Sequence, residues 1–206
     1  SERPVIYAGG GILKARAAEA LRELAELLDI PVVTTLMARG AFPDDHPLCL
    51  GMPGMHGNYT AIMSMQESDL LIALGSRFDD RVTGKVPSFA PLAKIIHADI
   101  DPAELGKVRR PDVPIVGDCN KIIVELVAVI RSMLDAGSAK PDLTPWRSTL
   151  SGWQEQYPLA YEPQQDGESL KPQMVLEALR DAAPADCIVT SGVGQHQMWA
   201  SQYWTF

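Results

Sequence analysis

Short apolar runs alternate with amphipathic segments along most of the chain, which predicts buried strands joined by helices. Continuous apolar strands that alternate with helices are typical of a parallel sheet covered by helices on both faces. The predicted fold class is therefore α/β, with a doubly wound parallel sheet. Pro114 lacks the N–H of a sheet ladder, so it predicts an edge position for the last strand. The predicted strands run over 5–8, 32–35, 69–74, 94–100 and 113–116.

The helices between these strands are predicted from apolar positions three and four residues apart and from capping signals. Asn58 is a candidate N-cap for the second helix. Asp101, Pro102 and Glu104 have the residue types and spacing of a helix start. The apolar face of the helix that begins at Asn120 is expected to extend to Met133. The predicted helices run over about 15–29 and 59–67, from 101, from 120 to 137, from 144 and from 171.

Composition divides the chain into three segments. Residues 1–137 form a first α/β domain, and 138–170 is a linker rich in proline and polar residues with one short helix. Residues 171–206 begin a second α/β unit, with a predicted strand at 187–190. We expect the chain to be a piece of a longer protein, because a strand starts at once and the chain stops inside a predicted helix.

Charge and composition argue against several classes of function. The net charge is −8 and the sequence pI is about 5.0, which is unsuited to nucleic-acid binding. The sequence shows no apolar run long enough to span a membrane and no signal peptide. Its four histidines lack metal-ligand spacing, so we expect no metal site in this chain. Three widely separated cysteines suit a reducing, cytoplasmic compartment and a structural role.

Candidate chemistry lies in the loops that follow the strands, because ligands of parallel sheets bind beyond the carboxyl ends. The triplet at 9–11, GGG, suits either a phosphate-binding turn or simply a tight strand–helix turn. The sequence argues against an NAD site, because Lys14 occupies the third-glycine position of the fingerprint. In addition, the second strand ends in Thr34-Thr35, with no acidic residue for a ribose.

A charged cluster follows the third predicted strand, in the stretch LGSRFDDRVTG at 74–84. Exposed clusters of this kind are often merely solvated. Alternatively, Arg77 and Arg81 neutralise a diphosphate or hold a ring edge, while Asp79 and Asp80 fix the guanidinium groups. Both interpretations stay open on these residues alone.

Two acids stand at the ends of the fourth and fifth predicted strands. Asp99 and Asp118 are placed either to accept hydrogen bonds from ribose, ribityl or adenine groups or to cap helices. The stretch GDCN at 117–120 departs from the Gly-Asp-Gly metal and diphosphate motif, because Cys119 replaces the second glycine. No asparagine follows Asn120, so we reject that motif here.

Several stretches together resemble the acetolactate synthase family of thiamine-diphosphate enzymes. The resemblance extends over the whole chain in order, and its last two stretches are the most specific. The stretches are GGG (9–11), TTLM (34–37), GMPGMHG (51–57), LGSRFDDR (74–81) and GVGQHQMW (192–199).

This resemblance implies a three-domain enzyme in which 1–137 is the central, FAD-binding domain. Enzymes of this family decarboxylate pyruvate and join the product to pyruvate or 2-ketobutyrate, the first common step of branched-chain amino-acid biosynthesis. FAD takes no net redox part, whereas thiamine diphosphate and Mg²⁺ belong to the full-length enzyme. Small 2-keto acids would be the substrates, with a homo-oligomer and a possible small regulatory subunit, and no nucleic acid or membrane. The activating glutamate and the magnesium ligands fall outside this chain, so the isolated piece is expected to be inactive.

The resemblance also carries site residues over by motif, with none of them catalytic in this chain. Residues expected around FAD are Gly9, Gly10, Gly11, Thr34, Leu36, Gly54, His56, Gly75, Arg77, Arg81, Asp99, Ile100, Gly117 and Asp118, with Gln197 and Met198 approaching the flavin. Residues expected at the diphosphate of thiamine diphosphate are Val193, Gly194, Gln195 and His196. Residues expected near the substrate channel, which herbicides of this family block, are Met55, Asp80 and Arg81.

Two other interpretations remain. One is a related thiamine-diphosphate enzyme, such as glyoxylate carboligase or pyruvate oxidase, in which the oxidase flavin would be redox-active. The other is a non-catalytic nucleotide-binding module of the electron-transfer-flavoprotein type, or a purely structural domain. The stretch at 192–199 argues against the second.

Overall fold

The computed structural model describes residues 1–162, 164–165, 167 and 169–206. Within these residues, five strands form one sheet with all neighbours parallel, in the order β2-β1-β3-β4-β5. The order reverses between β1 and β3, as in doubly wound sheets. Both the predicted fold class and the edge position of Pro114 in β5 are confirmed. The strands are β1 Pro4–Ala8, β2 Val32–Thr34, β3 Leu70–Leu74, β4 Lys94–Asp99 and β5 Val113–Val116.

Helices cover both faces of this sheet. One face packs against α1, α2 and α5, and the other packs against α3 and α6, so that two apolar core clusters form. No helix in the described part of the chain is long and apolar enough to cross a membrane. The helices are α1 Gly11–Lys14, α2 Ala18–Leu28, α3 Tyr59–Glu67, α4 Asp80–Thr83, α5 Cys119–Asp135, α6 Thr144–Gln156, α7 Pro172–Ala182 and α8 Gln195–Tyr203.

Local signals set several helix ends. The Asn58 side chain accepts a hydrogen bond from the Ala61 N–H at 2.8 Å, which confirms the predicted cap of α3. The helix predicted over about 15–29 forms as α2 but starts three residues later, because Arg16 has a φ of +53°. A residue in the left-handed region interrupts the helical backbone, so the shorter α1 stays separate from α2.

The helix predicted from Asp101 does not form. The Asp99 carboxylate accepts from the Asp101 N–H at 2.9 Å, and the Asp101 carboxylate accepts from the Ala103 N–H at the same distance. These side-chain bonds stabilise turns in place of a helix. Residues 101–103 are exposed, so no apolar face favours continuing the start signal.

Two further predictions fail for tertiary reasons. The strand predicted at 187–190 is absent, and Ile188 is 90% exposed. The described residues offer it no neighbouring strand, and an isolated strand cannot satisfy its backbone groups.

Met133 is 54% exposed although it was expected on the buried face of α5. That helix has 17 residues and therefore spans about 25 Å, longer than the strands beneath it.

The helix predicted within the linker packs against the sheet. Trp146 and Leu150 of α6 are 4% and 2% exposed, and the Trp146 indole N–H donates to the Pro4 carbonyl at 3.2 Å. This contact joins α6 to the start of β1. Residues 163, 166 and 168 of the predicted linker lie outside the described residues, and the three-segment division remains a prediction.

Candidate functional site

The loops predicted to bind the flavin meet at one edge of the sheet. All five strands are parallel, so the segments after β1, β2, β3, β4 and β5 leave from the same side. The order reverses between β1 and β3, and such a switch point is where doubly wound sheets form their binding crevice. The 9–11 and 75–84 loops follow the two strands that flank it.

The glycines of these two loops are in direct backbone contact. The Gly9 N–H donates to the Leu74 carbonyl at 2.9 Å, and the Gly11 N–H donates to the Gly75 carbonyl at 3.0 Å. A Cβ on Gly9 would lie 2.1 Å from the Gly75 oxygen, and one on Gly11 would lie 2.6 Å from the Gly75 Cα. The structure therefore supports the tight-turn interpretation for Gly9 and Gly11, while their contact with a phosphate stays a prediction.

Phe78 anchors the loop after β3, a role that the sequence reasoning missed. Its side chain is 1% exposed although its φ is +53°, a conformation that is an outlier for a bulky residue. Its ring makes edge contacts with the rings of Tyr7, Phe89 and His97, at centroid distances of 5.5, 6.2 and 5.1 Å. An aromatic residue between charged residues was the available sequence signal. The buried ring turns the flanking charged residues outward.

His97 is a second residue that sequence reasoning missed, although it is a histidine within an apolar strand. It is fully buried, and its Nε2 lies 2.8 Å from the Ser76 carbonyl. A carbonyl only accepts, so Nε2 carries the proton. Burial lowers the pKa of His97, opposed by the Ser76 bond and the charges of Asp99 and Glu104. The side chain is therefore held as the neutral Nε2–H tautomer.

The charged cluster is open to solvent. Arg77 and Asp79 approach to 3.9 Å, as do Arg81 and Asp80, and all four side chains are about half exposed or more. These separations are within ion-pair range but exceed hydrogen-bonding distance, so the role of the aspartates in fixing the guanidinium groups stays a prediction. Asp79 also caps α4, with its carboxylate accepting from the Arg81 N–H at 3.0 Å.

The three residues predicted near the substrate channel lie together. The Met55 N–H donates to the Arg81 carbonyl at 2.8 Å, and Asp80 is the first residue of α4. Gly54 permits this approach, because its φ is +99° and a Cβ there would lie 2.7 Å from the Arg81 oxygen. The Met55 side chain is 64% exposed. A flexible apolar side chain and a guanidinium thus share one exposed surface.

The helix that begins at the segment expected to contact thiamine diphosphate reaches the neighbouring 51–58 loop through its far end. Gly194 is the N-cap of α8, and Val193 before it is 92% exposed. The Gln202 side-chain amide of α8 donates to the His56 carbonyl at 2.8 Å. A cavity of about 210 Å³ lies between the 51–58 loop and the end of α8. Gln195 and His196 begin α8, followed by the half-buried Gln197 and Met198.

A buried ion pair connects β2 to the end of the chain. The Arg39 guanidinium donates to the Thr34 hydroxyl at 3.2 Å and pairs with the Asp44 carboxylate at 2.6 Å. The same carboxylate accepts from the Phe206 N–H at 2.9 Å. Thr34, one of the predicted flavin residues, is therefore linked through this ion pair to the segment that follows α8. The sequence reasoning did not single out this pair.

The remaining predicted residues mostly have local partners. Asp99 accepts from the Asp101 N–H, and Asp118 accepts from the Asn120 and Lys121 N–H groups at 3.0 and 3.2 Å. Asp118 is therefore the N-cap of α5, and Gly117 precedes it. These contacts support the capping interpretation for Asp118, whereas the Asp99 carboxylate stabilises a turn that no helix follows. The approach of either acid to a nucleotide stays a prediction.

The strand-end residues fit a flavin nucleotide. Ser76 and Thr35 each hold a buried hydroxyl oxygen without a hydrogen-bond partner among the described residues. Met37 and Ile100 follow β2 and β4 and are 71% and 70% exposed, and Leu36 beside them is half-buried. Unpaired hydroxyls suit a polar chain, and exposed apolar side chains suit a ring system. The same edge thus offers both types of contact.

Cysteines and metal ligands do not add to this site. Burial raises the pKa of both Cys49 and Cys119 to about 11, so both remain thiols. Thiols of this kind are unreactive. In the described ranges, no three histidine, cysteine, aspartate or glutamate residues are grouped so that they could hold a metal ion.

Comparison with known proteins agrees with this geometry. The family model described as "Thiamine pyrophosphate enzyme, central domain" matches residues 1–126. "Acetolactate synthase" of Mycobacterium bovis is 58% identical over 98% of the chain and 32% of the relative. "Acetolactate synthase large subunit" of Corynebacterium glutamicum is 51% identical over 100% and 32%, and "Probable acetolactate synthase 2, chloroplastic" of Oryza sativa is 46% identical over 100% and 31%. The chain thus spans about a third of these relatives' length.

Proposed function

The chain belongs to the thiamine pyrophosphate enzyme family through its central domain, and we propose that it is a segment of an acetolactate synthase large subunit. The observation that carries this proposal is 58% identity to a protein of that name along 98% of the chain. Relatives of the same name from a second bacterium and a plant support it. The proposed reaction decarboxylates pyruvate and joins the remaining two-carbon unit to pyruvate or 2-ketobutyrate.

We assign the strand-end edge of the sheet to FAD. The Arg77 and Arg81 guanidinium groups lie outside hydrogen-bonding distance of their aspartates, so they are available to a diphosphate. The loop after β1 brings its backbone against Gly75 at the same switch point. The apolar Ile100 at the end of β4 offers a surface for a ring. In this proposal FAD supplies no net electron transfer and serves as a structural part of the site.

The start of α8 is assigned to the diphosphate end of thiamine diphosphate. Gly194, Gln195 and His196 are at the N-terminus of this helix, where free N–H groups favour anions. Thiamine diphosphate supplies the electron sink for decarboxylation when it is bound. Mg²⁺ and the activating acid would come from parts of the full-length protein outside this chain. The chain alone is therefore expected to lack activity.

Met55, Asp80 and Arg81 are proposed to line the path of the 2-keto acid. A carboxylate substrate needs a cation, and the exposed Arg81 guanidinium is one. Met55 lies against the same helix through its bond to the Arg81 carbonyl. A bulky apolar inhibitor bound there would exclude substrate, as the herbicides of this family do.

The full-length protein is proposed to form a homo-oligomer, with a small regulatory subunit as a further partner. A cytoplasmic location is proposed as well, because Cys49, Cys119 and Cys187 are free thiols in the structure. Free thiols are typical of reducing compartments.

The visible absorbance spectrum, recorded with and without added FAD, tests the proposal. Flavin bands that survive desalting of the 206-residue chain would show that it forms the flavin site unaided. If the chain is colourless, the same measurement on the full-length protein decides. A folded full-length protein that retains no flavin and forms no acetolactate from pyruvate would refute the proposal. Flavin reduction during turnover would instead favour an oxidase.

A further inference from the structure

His97 is a buried ionisable side chain to which the proposed function gives no role. It lies in β4 opposite Ala73, fully buried, next to the carboxyl end of the sheet. Burying a polar ring costs free energy unless its nitrogens are satisfied, and among the described residues only Nε2 has a partner while Nδ1 has none. The bond of Nε2 is therefore the contact that a role for His97 must rest on.

The imidazole contacts the 75–79 loop at two points. Its Nε2–H donates to the Ser76 carbonyl at 2.8 Å. Its ring also meets the Phe78 ring edge-on, with centroids 5.1 Å apart and an interplanar angle of 87°. Ser76 and Phe78 are the two neighbours of Arg77 in the sequence. One buried side chain therefore holds the backbone on both sides of the exposed arginine.

The loop requires such a support because Phe78 is strained. Phe78 has a φ of +53°, an outlier for a bulky residue, whereas Gly75 adopts its φ of +60° without strain. Strained residues persist only where the surroundings determine their conformation. The Gly75 N–H is fixed by the Ala98 carbonyl at 2.8 Å, and the Phe78 ring is buried. Ser76 lies between these anchors, and its carbonyl is oriented by His97.

We propose that His97 is a positioning residue of the flavin site, which sets the direction of Arg77 through the Ser76 carbonyl and the Phe78 ring. The ligand class served is a nucleotide diphosphate, because a guanidinium on a fixed backbone loses less entropy when it binds one. This inference rests on the proposed FAD site. It differs from simple core filling because it requires both a ring and a donor.

Three variants separate these roles. His97→Phe keeps a ring against Phe78 but removes the donor to Ser76. His97→Gln keeps a side-chain N–H donor but removes the ring. Ile95→Val is the matched control, since Ile95 is 1% exposed and belongs to the same strand and core cluster. It lowers stability but leaves both the ring and the N–H donor of His97 in place.

The first measurement is the dissociation constant of FAD for the full-length protein and each variant, from flavin fluorescence. We expect His97→Phe to weaken FAD binding roughly tenfold, since a lost buried hydrogen bond leaves a carbonyl unsatisfied. His97→Gln should recover only part of this loss, because it restores the donor but not the ring, and Ile95→Val should bind as the parent does. Equal affinity in all variants would overturn the proposal. Equal weakening in all three would also overturn it, because it would reveal only a stability effect.

The second measurement is independent of FAD. Amide hydrogen exchange of residues 76–79 in the 206-residue chain should quicken in His97→Phe more than in Ile95→Val. NMR of the ring nitrogens in the parent should show the proton on Nε2. A proton on Nδ1 would overturn the proposal even if a variant failed to fold. If the full-length parent binds no FAD, the proposed flavin site fails, while hydrogen exchange still decides whether His97 positions the loop.

Discussion

Replacing Phe78 by alanine and by glycine gives a sharp test of the strained loop. The ring is 1% exposed, and removing a buried phenylalanine ring costs about 3–5 kcal/mol of the free energy of unfolding. Both variants lose the ring, so their difference reports the backbone alone. The left-handed region costs a residue with a Cβ about 1–2 kcal/mol, which glycine avoids. Glycine loses about 0.5–1 kcal/mol through its greater chain entropy.

The balance predicts that Phe78→Gly is more stable than Phe78→Ala by up to about 1.5 kcal/mol. Phe89 is the matched control, because its ring is also buried in the same core cluster but its φ is −79°. There the order should reverse, with Phe89→Ala more stable than Phe89→Gly by about 0.5–1 kcal/mol.

Urea denaturation followed by tryptophan fluorescence measures all four variants. The test is the sign of the alanine–glycine difference at each position, so it does not depend on the absolute cost of losing the ring. If Phe78→Ala proves more stable than Phe78→Gly, the left-handed assignment of Phe78 is wrong. The argument for a strained loop beside Arg77 then fails with it.

Four further predictions follow from contacts already described. Asp118→Ala removes the cap of α5 and should cost about 1 kcal/mol in chemical denaturation, whereas Asp118→Asn should cost much less. Gly11→Ala forces a Cβ to within 2.6 Å of the Gly75 backbone and should lower the free energy of unfolding by about 1–3 kcal/mol. Arg77→Gln should change that free energy by less than about 0.5 kcal/mol but weaken FAD binding, and equal FAD affinity would contradict its role. Burial lowers the pKa of His97, so its contribution to stability is complete above about pH 6.5 and declines as the pH falls towards the folded-state pKa; denaturation curves across this range should show a loss that His97→Gln lacks.

The sheet could be predicted because its strands are continuous apolar runs and its helices have one apolar face. Errors arose where the outcome depends on partners distant in the sequence. The apolar residues at 187–190 resemble a strand, yet a strand needs a neighbour to pair with. The residues at Asp101 resemble a helix start, yet nearby carboxylates stabilise turns and no apolar face favours a helix.

The candidate site, like the fold, has a part that could be predicted from the sequence and a part that could not. The strand-end loops could be located from the sequence, because parallel strands bring their carboxyl ends to one edge. The contacts of Phe78 and His97 could not, since they join residues on different strands through space. Likewise, the sequence placed the aspartates next to Arg77 and Arg81, but it did not predict that both pairs would stay 3.9 Å apart or that Asp79 would accept from the Arg81 N–H. Proximity in sequence does not give the geometry of a charged pair.

The glycine contact between the loops after β1 and β3 has a consequence for the order of folding. Gly11 and Gly75 are more than 60 positions apart, yet their backbones touch. The chain between them must close a long loop and pair β1 with β3 before this contact exists, and long-range parallel pairing is slow. A nascent or partly folded chain therefore lacks the crevice that we propose for the flavin. Flavin added during refolding should speed no step that precedes assembly of the sheet, and should act only by trapping the finished domain.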